Sequence, residues 1–165
     1  MRWVRLAVFI LIATLLQQGL VNLIAFSNSE IKPDLLLISL VFFAIYYNTT
    51  EAIIISFVIG FAADLIGGPM GTGIISFGIF GTLLAYLHRV VSLRSPPYQA
   101  IAIFIIGIAS GTMIYLLGFL KGQPNIEKIW SFLLWSSLYS AVLGPFFFLP
   151  CAWWMRIKGK HFNRH

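Results

Sequence analysis

An all-α integral membrane protein, a compact bundle of six transmembrane helices of which two are short, is the fold the sequence predicts. Three observations carry it. Of the 165 residues, 59% are hydrophobic and only 10% charged, with mean hydropathy +0.92. A soluble domain carries roughly 25% charged residues, and disorder needs few apolar and many charged ones, so both are excluded. The apolar runs LAVFILIATLL, AIIISFVIGFAA and QAIAIFIIGIA lack the alternation of a barrel strand, and only helices and closed barrels satisfy their own backbones in lipid. Finally, six spans of about 20 residues use roughly 120 residues. Residues 1–165 therefore read as one polytopic domain, with no soluble catalytic or DNA-binding domain. The net charge of +6 and pI near 9.8 are accordingly not a nucleic-acid signal.

The first span runs from residue 3 to about 26. Its basic start, Arg2 and Arg5, resembles a secretory signal, but no A-x-A cleavage site follows and the apolar stretch continues past Gly19. A polar connector over residues 27–32 leads to Pro33-Asp34, read as Pro at the first helical position and Asp in the first turn. The second run covers residues 35–47. Asn48-Thr49-Thr50-Glu51 breaks it from a third run over residues 52–66, and both runs fall short of 20 residues. The segment Gly67-Gly68-Pro69-Met70-Gly71-Thr72-Gly73 is a turn-rich breaker. Span four covers residues 74 to about 87 and span five residues 98 to about 119. Span six runs from residue 129 to about 149 and ends near Pro150, ahead of a short basic tail.

Charge placement distinguishes a hairpin over residues 34–66 from a single crossing. With a hairpin, Arg2, Arg5, Arg89, Arg94, Arg156, Lys158, Lys160 and Arg164 share one side, against Lys32, Lys121 and Lys128 on the other. With one crossing the partition is four to seven. The positive-inside rule favours the hairpin, hence six spans with both termini cytoplasmic.

Of the five acidic residues, Glu30, Asp34, Glu51 and Glu127 fall in or beside polar connectors, where solvation explains them. Asp64 lies inside an apolar stretch, four residues after Gly60 and three before Gly67. An ionised carboxylate there is expensive and marks a candidate functional site, and a helix C-terminus repels it. Two compatible readings follow. The N–H groups of residues 67–73 fold back onto the carboxylate as a loop clasp, or the carboxylate meets a cation on a partner.

Small residues form a second pattern. Ala100, Gly107, Gly111 and Gly118 share one helix face, as do Gly78, Gly81 and Ala85, and Ser136, Ser140 and Gly144. Such faces let helices approach closely in lipid, here as packing within the chain. Trp3, Trp130, Trp153 and Trp154 suit interfacial belts, and the tail from Arg156 to Lys160 suits anionic headgroups. Gln17, Gln18 and Asn22 either hydrogen-bond between helices or line a cavity. The lone Cys151 excludes an intramolecular disulfide and lacks companions for a metal site; it reads as a small buried residue. No H-E-x-x-H, G-x-S-x-G, Walker or CxxC pattern occurs, so no catalytic, metal or cofactor site is assigned.

At Pro33-Asp34-Leu35-Leu36-Leu37-Ile38, and again at Gly60-Phe61-Ala62-Ala63-Asp64-Leu65-Ile66-Gly67-Gly68-Pro69-Met70-Gly71, the chain resembles the bacterial rod shape-determining MreD family. The resemblance covers the whole length, although the later spans match only in size and hydropathy. It implies a non-enzymatic inner-membrane scaffold of the cell-elongation complex, associated with the bitopic MreC and, through the complex, with RodA, an elongation transpeptidase and MreB. It also implies a fold similar to the S components of vitamin transporters. On that reading Pro33, Asp34, Gly60, Asp64, Gly67, Gly68 and Gly71 form an interaction motif. A substrate-binding S-component-like subunit, with Gln17, Gln18, Asn22 and Asp64 lining its cavity, is the alternative.

Overall fold

The computed structural model describes residues 2–19, 33–67, 70–90, 95–122 and 129–154. Within them the chain is entirely helical. Six helices follow in order: α1 (Arg2–Gln18), α2 (Leu35–Tyr46), α3 (Thr49–Gly67), α4 (Thr72–Val90), α5 (Pro96–Leu120) and α6 (Ile129–Trp154). Three of them contain segments long and apolar enough to cross a membrane: Thr49–Ile66, Pro96–Leu120 and Leu133–Trp154. The outward faces carry large apolar side chains, among them Ile79, Leu83, Ile105, Phe146 and Leu149. Such surfaces suit lipid and would be untenable in water.

Helix α2 is the centre of the bundle. Every residue from Leu35 to Ile45 is buried, as expected of a helix apolar all round. It touches each of the other five, which surround it in the order α1, α3, α4, α5, α6; among the described residues α1 and α6 do not meet. Its 12 residues measure about 18 Å, far less than a bilayer core of about 30 Å. Leu37 packs by Gly107, 11 residues into α5 and 13 before its end. The N–H of Asp34 reaches Ser140, 11 residues into α6 and 14 before its end. Thus α2 begins near the middle of the two longest helices and fills one half of the bundle.

Aromatic rings pack that half. Phe42 meets Phe43, Tyr46 and Phe148 at ring centroids of 5.3, 4.9 and 5.3 Å, and Phe9 meets Phe43 edge-on at 5.6 Å. These contacts also fix directions. Phe9 by Phe43 and Gln17 by Leu35 make α1 antiparallel to α2; Ser140 by Asp34 and Phe148 by Phe42 make α6 parallel to it. The start of α1 and the end of α6 therefore lie at the same end, beside the link from α2 to α3.

Several boundaries differ from those expected. The third run is not short: α3 has 19 residues, because Thr49, Thr50 and Glu51 form its first turn rather than a break. Ala52 N–H donates to the Asn48 carbonyl at 2.8 Å, and an acid in the first turn suits the helix dipole. Likewise α6 continues to Trp154 with Pro145 and Pro150 inside it. A proline in a helix interior removes one ladder hydrogen bond, a loss that helices in a membrane tolerate. Pro33 precedes the cap instead of opening the helix, and Asp34 is the N-cap rather than a first-turn residue. The expected first span past Gly19, Asn22, the connector over residues 27–32 and the basic tail all lie outside the described residues.

Candidate functional site

Asp64 joins the end of α3 to the start of α4. Its Oδ2 accepts from the N–H of Gly71 at 2.8 Å and of Ile74 at 3.2 Å. Its Oδ1 accepts from the N–H of Gly73 at 2.6 Å and from the Thr72 hydroxyl at 3.5 Å. A helix start leaves its first N–H groups without intrahelical partners, and here a carboxylate from the preceding helix supplies them. The repulsion expected at the C-terminus of α3 is offset by the positive end of α4. With two donors on each oxygen and the residue only 8% exposed, the carboxylate is committed to this chain.

The glycines explain how the two helices come close enough. A Cβ on Gly60 would stand 2.6 Å from the Gly73 carbonyl oxygen and 2.7 Å from Ile74 Cα. One on Gly73 would stand 2.7 Å from Asp64 Oδ1 and 2.8 Å from the Gly60 oxygen. The backbones of α3 and α4 are thus in direct contact, one turn before the carboxylate. Gly71 takes φ +95°, a conformation costly to any residue with a Cβ. Beside it, Lys121 at the end of α5 donates through Nζ to the Met70 carbonyl, binding a third helix to the turn. Gly67 ends α3; Gly68 and Pro69 lie outside the described residues.

Asp34 performs the equivalent task inside the bundle. Its Oδ1 accepts from the N–H of Leu36 and of Leu37, both at 3.0 Å. Its own N–H donates to Ser140 Oγ at 2.8 Å, and the N–H of Leu35 donates to Gln17 Oε1, also at 2.8 Å. The N–H of the cap and the first three N–H groups of α2 are thereby paired, by its own cap and by side chains from α1 and α6. The expectation that solvation explains Asp34 is corrected: it is part-buried and lies at mid-height of α6. Of the residues of the alternative cavity, Gln17 accepts from the Leu35 N–H and Asp64 from the N–H groups of residues 71, 73 and 74, while Asn22 lies outside the described residues.

The small-residue seam of α5 packs within the chain. A Cβ on Gly107 would stand 2.7 Å from Ser137 Oγ and 2.9 Å from Leu37 Cδ2, and one on Gly111 2.3 Å from Leu133 Cδ2. Gly118 is buried. On α6 Ser137, Ser140 and Gly144 are buried and Ser136 is half-buried, with Ser137 packed by Gly107. The expected clasp of Asp64 by the 67–73 segment includes Gly73; what sequence reasoning missed are the specific partners, Ser140 for the Asp34 N–H and Gln17 for the Leu35 N–H. The close approach of Gly73 to the Gly60 backbone was not read. The partners of Asp34, distant in sequence, left no local signal.

Neither the curated proteins nor the solved structures include a match to the chain. The model of one family, rod shape-determining protein MreD, matches residues 1–157. That match takes in both capped helix starts and all six helices. This membrane protein therefore belongs to the MreD family of rod shape-determining proteins.

Proposed function

We propose that the chain is a non-enzymatic, multi-pass scaffold of the bacterial inner membrane, with both termini cytoplasmic. It supports rod shape and peptidoglycan synthesis by binding an MreC-like bitopic protein, and through it RodA, an elongation transpeptidase and MreB. The observation that carries this reading is how the interior polar groups are used. Asp64 and Asp34 are engaged with the chain's own backbone, whereas an active site or solute site needs polar groups aimed at a ligand. What the bundle offers the membrane is a set of shaped apolar faces, a surface for other helices. The shared end of α1 and α6 and the eight-to-three division of basic residues support the orientation, which puts the Asp64 turn on the outer side.

A tagged pull-down of the full chain from mildly solubilised native membranes, with partners identified by mass spectrometry, tests this. Recovery of an MreC-like protein with wall-synthesis enzymes is the expected outcome. Recovery of ATPase subunits with a transmembrane coupling protein would replace the scaffold with a solute-capture subunit of the S-component kind.

A further inference from the structure

Helix α6 divides into a tightly held part and a lightly held one, and the division falls at Gly144-Pro145. Up to Gly144 the helix is locked. Leu133 fills the site by Gly111, Ser137 packs by Gly107, Ser140 accepts the Asp34 N–H at 2.8 Å, and a Cβ on Gly144 would stand 2.1 Å from Ile103 Cδ1. Immediately afterwards come two prolines. Lacking an N–H, Pro145 and Pro150 leave the carbonyls of Ala141 and Phe146 without their i+4 donors. Such positions are where helices bend. Beyond Pro145 few side chains hold the helix to the bundle. Phe148 and Cys151 are buried and Phe147 and Ala152 half-buried, while Phe146, Leu149, Trp153 and Trp154 face outward. Phe148 rests on Phe42 and Tyr46 of α2 at centroids of 5.3 and 6.2 Å.

We propose that residues 145–154 form a hinged arm that swings off α2 about Gly144-Pro145 while the rest of α6 stays in place, uncovering Cys151 and the rings of Phe42 and Tyr46. Opening breaks the ring contacts and a few apolar contacts, but none of the hydrogen bonds that cap α2. The chain continues from Trp154 into Arg156, Lys158 and Lys160, so whatever engages that basic stretch acts on the arm first. The arm is thus a device by which a contact at the end carrying both termini reaches the central helix.

The chain's single cysteine reports the motion directly. The rate at which N-ethylmaleimide modifies Cys151 is measured on the full chain in native membranes, with detergent-denatured protein giving the maximum. Ala141→Cys in a Cys151→Ser background reports on the locked part, since Ala141 is also buried. Cys151 is expected to react at least about tenfold faster than that thiol, because local opening needs less free energy than global unfolding. Phe148→Leu, chosen to keep the fold, should raise the Cys151 rate severalfold, and Pro145→Ala with Pro150→Ala should lower it about fivefold or more. Equal rates at the two thiols, an unreactive Cys151, or a proline-free variant as fast as the parent would each overturn the hinge.

Discussion

Replacing Gly60 by alanine gives opposite signs under two lines of reasoning. Helix propensity alone favours alanine by about 1 kcal/mol in a helix interior. Contact geometry opposes it, since the new methyl would lie 2.6 Å from the Gly73 oxygen and 2.7 Å from Ile74 Cα. Ordinary contact begins near 3.4 Å, so α4 must retreat by roughly 0.8 Å, and backbone cannot rotate aside as a side chain can. Asp64 is one turn along the same helix, so that retreat stretches its bonds to Gly73 and Ile74, now 2.6 and 3.2 Å, toward the limit of hydrogen bonding. Overpacking of about 1–3 kcal/mol and about 1–2 kcal/mol for each weakened buried bond outweigh the propensity gain. We expect Gly60→Ala to destabilise the protein by about 3 kcal/mol. The cause is shared with Asp64→Ala, expected to cost about 3–4 kcal/mol through three stranded N–H groups. The double variant should therefore lose at least about 1 kcal/mol less than the sum. Equilibrium unfolding in detergent micelles of the parent, both single variants and the double variant measures this. Additive losses, or a Gly60→Ala protein as stable as the parent, would refute the picture of one shared close contact.

Gly107→Ala should cost less than Gly60→Ala, about 1 kcal/mol, because the atoms it meets are the movable ends of Ser137 and Leu37; the same unfolding measurement ranks the two. Gln17→Leu strands the N–H of Leu35 and should cost about 1–2 kcal/mol, with Gln17→Glu, which keeps an acceptor there, closer to the parent. Gly71→Val should lower the thermal midpoint more than Gly71→Asn, since asparagine tolerates the positive φ better than a β-branched residue.

What could be read from the sequence and what could not divide along a physical line. Hydropathy located α2 to α5 within a few residues at either end, because apolar character is a property of each side chain alone. It mistook Thr49, Thr50 and Glu51 for a gap, because first-turn residues that hydrogen-bond or face a dipole look like loop residues to any hydropathy measure. Asp64 and Gly60 stood out because four-residue spacing puts them on one helix face. Asp34 was legible as a helix opener, but its partner Ser140, 106 positions away, and the pairing of Leu35 with Gln17, 18 positions away, were not, because only the tertiary fold puts them together. Gly73 was read only as part of the clasp segment, and its further need for a missing side chain arises from the opposing backbone at Gly60.

The half-length α2 also has a consequence for the order in which the protein is made. A helix of 12 residues is too short to be held by the bilayer alone, so it cannot settle as an independent span when it leaves the ribosome. The acceptor for the Asp34 N–H is Ser140, and Phe148 completes its ring cluster; both are synthesised over a hundred residues later. The central helix is therefore secured late, waiting on α6. A chain arrested before α6 would leave its centre unfinished, so the fold closes only once α6 has been made.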